Sequence, residues 1–106
     1  MAEPSRPSKG TGGNASEFYM ACRNGDLEMV NRLLKTMTSR HINIIEESNN
    51  STALHAASFN GHADVVKRLL ECGANTYTHN GHGLTAEQEA KNQDVKNVFA
   101  QFKAKK

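Results

Sequence analysis

Apolar residues recur at helical spacing in the middle of the chain. The segment 63–72 carries valines and leucines three to four positions apart, as on one face of an α-helix: Val65, Val66, Leu69 and Leu70. The alanine-rich segment 53–60 predicts a shorter helix, with Thr52 placed to cap its first turn through the hydroxyl group. Gly61 and Gly73 predict the two helix ends, because glycine adopts a left-handed conformation at little cost. The pattern therefore predicts a pair of short helices.

The same pattern recurs on both sides of this pair. Residues 17–34 align with residues 53–70, and alanine, Asn-Gly, valine and Leu-Leu coincide. Residues 83–102 align with residues 50–69 at an offset of 33 and without a gap. The first offset is about three residues longer, and the extra residues fall in the linker 35–50. A period near 33 with two short helices per unit predicts a helical solenoid.

The middle unit resembles a known repeat. The stretch "STALHAASFNGHADVVKRLLECGAN" is similar to an ankyrin repeat, and the two departures are Asn50 for a glycine and Ala53 for a proline. The resemblance implies an all-α ankyrin-repeat solenoid of about three helix-turn-helix repeats with short hairpin loops. The expected divisions are a disordered leader at 1–14, repeats at about 15–49, 50–82 and 83–103, and a basic tail at 104–106.

Composition narrows the function classes. The net charge of +2 lies mainly at the two ends, and the aromatic residues do not alternate with basic ones, so a nucleic-acid partner is not expected. No segment is apolar enough for a signal peptide or a membrane span. Cys22 and Cys72 are too few for a disulfide framework and are expected to stay free in a reducing compartment. We therefore expect a monomer without a membrane partner, located in the cytoplasm and able to enter the nucleus.

Chemical sites are weakly indicated. Cys72, His79 and His82 are the one group with a metal-like spacing, but they supply three of the four ligands that zinc usually takes. Neither cysteine has the surroundings of a nucleophile. The acidic pair Glu87 and Glu89 fits a helix start, where carboxylates favour the dipole. The sequence thus predicts no cofactor and no enzymatic activity, with metal binding kept as an unfavoured alternative.

The resemblance also assigns roles to single residues. It implies that His55 bonds the Thr52 cap and the neighbouring loop backbone, and that His62 is structural or merely exposed. It places variable, solvent-facing positions on the inner helices at Arg23, Asn24, Phe59, Asn60, Asn92 and Gln93. At the loop tips it places them at Ser48, Asn49, Ser51, His79, His82 and Leu84. Phe59 is either an anchor for a partner or a residue packed on an adjacent repeat.

The function implied by the resemblance is protein binding without catalysis, as a regulator or adaptor, through the concave surface of inner helices and hairpins. Two finer alternatives stay open. The ends "EFYMACRNGDLEMV" and "GHGLTAEQEAKNQDVKNVF" are similar to the myotrophin family, which implies actin capping protein as a partner. The second alternative is that the chain is an adaptor for, or a fragment of, a larger ankyrin-containing enzyme.

Overall fold

The computed structural model describes residues 16–45 and 50–104. The predicted leader at 1–14, the candidate residues Ser48 and Asn49, and the last two residues lie outside the described residues. The described residues form six helices and no strand. The helices are α1 (Glu17–Asn24), α2 (Leu27–Leu34), α3 (Ser39–Ile42), α4 (Ala53–Phe59), α5 (Ala63–Glu71) and α6 (Gln93–Ala104).

The middle unit folds as its sequence predicts. Thr52 caps α4, because its Oγ1 accepts a hydrogen bond from the backbone N–H of His55 at 3.2 Å. Gly61 lies between α4 and α5 with a φ of 79°, a left-handed conformation that glycine adopts without strain. Gly73 follows α5 with a φ of 98°. The predicted helix pair of this unit is therefore confirmed.

The first unit repeats this arrangement with different capping residues. Ser16 caps α1 by accepting a hydrogen bond from the N–H of Tyr19 at 3.1 Å, and Asp26 caps α2 by accepting one from Met29 at 3.2 Å. The linker that follows contains a further helix, α3, which the sequence did not predict. Ile42 at the end of α3 is buried in the core, so apolar packing holds this helix against the rest of the stack.

The third unit departs from the prediction of a helix pair. Only its second helix, α6, is present, and residues 86–89 form a turn instead of a first helix. The Oγ of Ser58 donates a hydrogen bond to the carbonyl oxygen of Ala86 at 2.6 Å, and the carbonyl of Ser58 accepts one from the N–H of Lys91 at 3.1 Å. A turn thus covers the side of α4 that faces away from α1.

The helices form two layers. In the inner layer α1 packs against α4, and in the outer layer α5 packs against both α2 and α6. The alanines of α4 are buried, and their small side chains allow this helix to lie close to its neighbours. The largest fully buried apolar side chains between the layers are Phe99, Leu54, Leu69, Val30, Val65, Val66 and Val95. Within residues 16–45 and 50–104, no helix is long and apolar enough to span a membrane.

Candidate functional site

An open cleft of about 450 Å³ lies on the inner-layer side of the stack. All three units contribute to it. Helix α1 supplies Tyr19 and Arg23, α4 supplies Ala56 and Phe59, and the third unit with the loop before it supplies Asn80, His82 and Glu89. Ser51, His55 and Asn60 complete the lining. We call this feature the inner cleft.

Arg23 forms the α1 side of the inner cleft. It is exposed in the last turn of α1, and its Nη1 contacts the sulfur of Met20 at 3.7 Å. The guanidinium group makes no ion pair with a carboxylate among the described residues. Its positive charge is therefore available to a molecule that enters the cleft.

Phe59 lies in the inner cleft at the end of α4. Its side chain is 62% exposed, whereas most of α4 is buried. The adjacent Asn60 donates a hydrogen bond from Nδ2 to the carbonyl oxygen of Ala56 at 2.8 Å, so its amide is fixed against the helix end. This exposure excludes a core position for Phe59, and its role as an anchor for a partner stays a prediction.

Glu89 forms the opposite side of the inner cleft, and Asn80 holds it in place. The Nδ2 of Asn80 donates to Glu89 Oε2 at 2.8 Å, while its Oδ1 accepts from the N–H groups of His82 and Leu84 at 2.9 and 3.1 Å. Asn80 therefore holds the backbone of the loop at His82 and Leu84 as well as the carboxylate of Glu89. The expected role of Glu87 and Glu89 at a helix start is wrong, because residues 86–89 are a turn and Glu87 pairs with Lys103.

His55 lies beneath the inner cleft with both ring nitrogens bonded. Its Nδ1 and the Oγ1 of Thr52 are 2.8 Å apart, and its Nε2 is 2.8 Å from the carbonyl oxygen of Leu84. A carbonyl can only accept, so Nε2 carries a hydrogen, and in the neutral ring Nδ1 accepts from the threonine hydroxyl. The ring, only 1% exposed, joins the α4 cap to the next loop, as the resemblance implied.

His62 has a structural contact as well. Its Nε2 lies 3.0 Å from the carbonyl oxygen of Arg23, at the end of α1. The ring also lies against Gly25, where an added Cβ would be 2.5 Å from His62 Nδ1. Glycine at this position therefore serves both the left-handed turn, with a φ of 75°, and the close approach of the histidine ring.

The unfavoured metal alternative receives no support from this geometry. No group of three or more His, Cys, Asp or Glu side chains in the described part of the chain is placed to hold a metal ion. His82 lines the inner cleft and His79 does not, while the sulfur of Cys72 accepts a hydrogen bond from Arg68 Nη1 at 3.4 Å. Cys22 is fully buried, and burial raises the pKa of its thiol to about 12, so the reactive thiolate is scarce at neutral pH.

The structure brings together five of the residues predicted from the resemblance: Arg23, Ser51, Phe59, Asn60 and His82. Three others are exposed but lie outside the inner cleft, namely Asn24, His79 and Leu84. The placement of Asn92 and Gln93 on an inner helix is wrong. Asn92 caps α6 by accepting a hydrogen bond from the N–H of Val95 at 3.1 Å, and Gln93 is the first residue of that helix.

Five lining residues were not predicted as contact residues, namely Tyr19, His55, Ala56, Asn80 and Glu89. Asn80 carried a usable signal, because Asn-Gly dipeptides mark tight turns in which the asparagine side chain bonds nearby backbone groups. The pairing of Asn80 with Glu89 had no such signal.

The repeated units and the shared caps of this fold agree with the comparison to known families. A model of ankyrin repeats in three copies matches residues 13–98. The chain belongs to the ankyrin-repeat family. Its fold is an all-α ankyrin solenoid, and ankyrin repeats are a general protein–protein interaction module rather than a catalytic one.

Three known proteins show the extent of the likeness. The chain is 32% identical to the ankyrin protein in the crystal structure of yeast Rps3 with its chaperone Yar1, with a TM-score of 0.74, covering 92% of this chain and 71% of that one. It is 30% identical to the ankyrin repeat domain of Bcl-3, a member of the IkappaB family, with a TM-score of 0.71. That match covers 80% of this chain and 36% of the Bcl-3 chain.

The third protein is known from its sequence. The chain is 41% identical over 61 residues to the ankyrin repeat-containing protein YIL001W of Saccharomyces cerevisiae. The matched segment is 58% of this chain and only 11% of the yeast protein. The chain therefore corresponds to a small part of that relative.

Proposed function

We propose that this chain is a non-enzymatic regulator or adaptor that binds a partner protein through the inner cleft, with Phe59 as its anchor. The exposure of Phe59 carries the proposal. A phenylalanine that is 62% exposed within a concave surface loses much of its contact with water when a partner covers it. Aromatic residues, phenylalanine included, are enriched in the surfaces through which proteins bind one another.

The rigidity of the surroundings supports this assignment. His55 bonds the loop to α4, Asn80 bonds the same loop to Glu89, and Asn60 is bonded to its own helix. A surface that is ordered before binding loses less conformational entropy when the partner docks. The likeness to Yar1, a chaperone that binds Rps3, supports a single protein as the partner class.

Three finer points are part of the proposal. The stack acts as a monomer, in the cytoplasm or the nucleus, where the free thiols of Cys22 and Cys72 stay reduced. Because the chain spans 11% of one relative and 36% of another, it can also serve as the adaptor part of a larger protein. The myotrophin resemblance of the ends remains the reason to test actin capping protein.

The experiment is an affinity capture from a cell extract, quantified by mass spectrometry, with Phe59→Ala beside the parent. Tyr77→Ala is the matched control, because Tyr77 is an aromatic residue that is 80% exposed and does not line the inner cleft. We expect the same partner with the parent and Tyr77→Ala and its loss with Phe59→Ala. Equal capture by Phe59→Ala would contradict the proposal, and capture of actin capping protein would support that partner.

A further inference from the structure

The inner cleft carries its charges at opposite ends. Arg23 and Glu89 are the two residues with a formal charge among those that line it, one on α1 and the other in the third unit. Helix α4, which lies between them, contains no Asp, Glu, Lys or Arg. Phe59 on α4 is thus flanked by a cation on one side and a carboxylate on the other.

Neither Arg23 nor Glu89 takes part in a salt bridge among the described residues. Lys91 lies near the third-unit end, but its stem is directed at the end of α4, where its Cδ would be 3.2 Å from a Cβ on Gly61. It does not line the inner cleft. Glu89 has one carboxylate oxygen bonded to Asn80, an uncharged amide that leaves its negative charge uncompensated.

We propose that the inner cleft recognises an extended segment of a partner protein with an acidic residue, an apolar residue and a basic residue in linear order. This inference rests on the proposed function and names the chemistry of the partner. The acidic residue pairs with Arg23, the apolar residue packs on Phe59, and the basic residue pairs with Glu89. Complementary charges of this kind set the specificity and the register of a contact.

The spacing of the three residues follows from the layer geometry. Packed elements lie about 8–10 Å apart, so α1 and the third unit are separated across α4 by about 16–20 Å. An extended chain advances about 3.3 Å per residue. The acidic and basic residues of the segment are therefore about five to six positions apart, with the apolar residue near the middle.

The test is a selection of random peptides about twelve residues long, which exceeds the span of about five to six residues expected above. The peptides are displayed on phage and selected on the immobilised full chain. The variants are Phe59→Ala, Arg23→Glu and Glu89→Gln. Glutamine at position 89 retains an oxygen that can accept the bond from Asn80 while removing the charge. The controls are Arg40→Glu and Glu28→Gln, two exposed positions outside the inner cleft.

The parent is expected to enrich peptides with the acidic–apolar–basic order in either chain direction. Arg23→Glu should replace the acidic position with a basic one, and Glu89→Gln should lose the basic position alone. Both controls should retain the parental pattern. Peptides synthesised from the parental set should bind Glu89→Gln about two- to fivefold more weakly, the scale of one exposed ion pair.

Failure of this inference is distinguishable from failure of the proposed function. Peptides that depend on Phe59 but show no charge order would overturn the segment chemistry and leave the proposed function standing. Peptides that bind Phe59→Ala as tightly as the parent would overturn both the segment chemistry and the proposed function. If no peptide is enriched above the bare support, recognition of a linear segment is wrong, while the capture experiment still decides on a folded partner.

Discussion

The imidazole Nε2 of His55 lies 2.8 Å from the carbonyl oxygen of Leu84, a residue 29 positions further along the chain. The same ring contacts Thr52 through Nδ1, so one buried side chain connects the cap of α4 to the loop that begins the third unit. This pair is a link between units that does not depend on apolar packing. Its loss should therefore affect the whole stack.

We expect His55→Ala to lower the free energy of unfolding by about 2–4 kcal/mol, because it leaves buried polar groups without partners and opens a cavity. Urea unfolding followed by circular dichroism measures the effect. His79→Ala is the matched control, since His79 is exposed, and it should change stability by less than about 0.5 kcal/mol. Equal midpoints for the two variants would contradict the role of His55.

Alanine substitutions at Gly25 and Gly83 distinguish the stability cost of a steric clash from the cost of backbone strain. Both have a positive φ, 75° and 77°, but a Cβ on Gly25 meets the ring of His62 at 2.5 Å while a Cβ on Gly83 meets nothing within 4 Å. Gly83→Ala should cost about 1 kcal/mol, from the left-handed conformation alone. Gly25→Ala should cost at least about 1 kcal/mol more, because the ring must also move.

Thermal and urea unfolding of both alanine variants give the comparison. Combining Gly25→Ala with His62→Ala should cost less than the sum of the two single changes, because the clash is absent when the ring is removed. Strict additivity would show that the close approach of His62 is not what constrains position 25.

Cys22 makes stability fall at high pH. Burial raises its pKa from 9.0 to about 12 in the folded chain, so above pH 9 the unfolded chain loses this proton and the folded chain retains it. The folded chain then binds more protons, and stability decreases as pH rises from about 9 to about 12. Urea unfolding at pH 8 and pH 10 measures this, with Cys22→Ala to subtract lysine and tyrosine ionisation.

The parent and Cys22→Ala should differ in how steeply the free energy of unfolding falls with pH, as well as in the midpoint of urea unfolding. The parent should lose more stability between the two pH values than Cys22→Ala does. A thiol reagent at neutral pH offers a second readout, with Cys72 reacting in the native protein and Cys22 only after unfolding. Equal losses of stability with pH would argue against a buried protonated thiol.

The outer layer contains a polar contact that can be measured by itself. Arg68 on α5 donates from Nε to Asn31 Oδ1 on α2 at 2.7 Å, across the boundary between the first two units. A double-mutant cycle of Arg68→Ala and Asn31→Ala should give a coupling energy of about 0.5–1.5 kcal/mol. A coupling near zero would indicate that apolar contacts alone join α2 to α5.

Features set by neighbouring residues could be predicted from the sequence. The Thr52 cap, the turn at Gly61 and the apolar face of α5 depend on positions at most four apart, so helical spacing and glycine chemistry reveal them. His55 needed the family resemblance, because its partner Leu84 is remote in sequence. Phe59 could be placed on the surface, but the sequence did not exclude a core position; its exposure does so, and its role as an anchor remains the proposal.

The third unit shows why the remainder could not be predicted. The stretch "TAEQEA" at 85–90 is rich in helix-forming residues, yet it forms a turn. Contacts with Ser58 from both Ala86 and Lys91 hold the chain against α4 and leave little length before the cap at Asn92. The same turn brings Glu89 to Asn80, and this contact places a carboxylate on the third-unit side of the inner cleft.

The turn at residues 86–89 also bears on how this stack could be lengthened by design. The third unit presents this turn where the first two units present an inner helix. A duplicate of residues 50–82 placed directly after the original would meet matching surfaces, since the new His62 would face Gly61 as His62 now faces Gly25. Insertion of a unit between the second and third units would therefore lengthen the inner surface with contacts of a kind that the stack already makes.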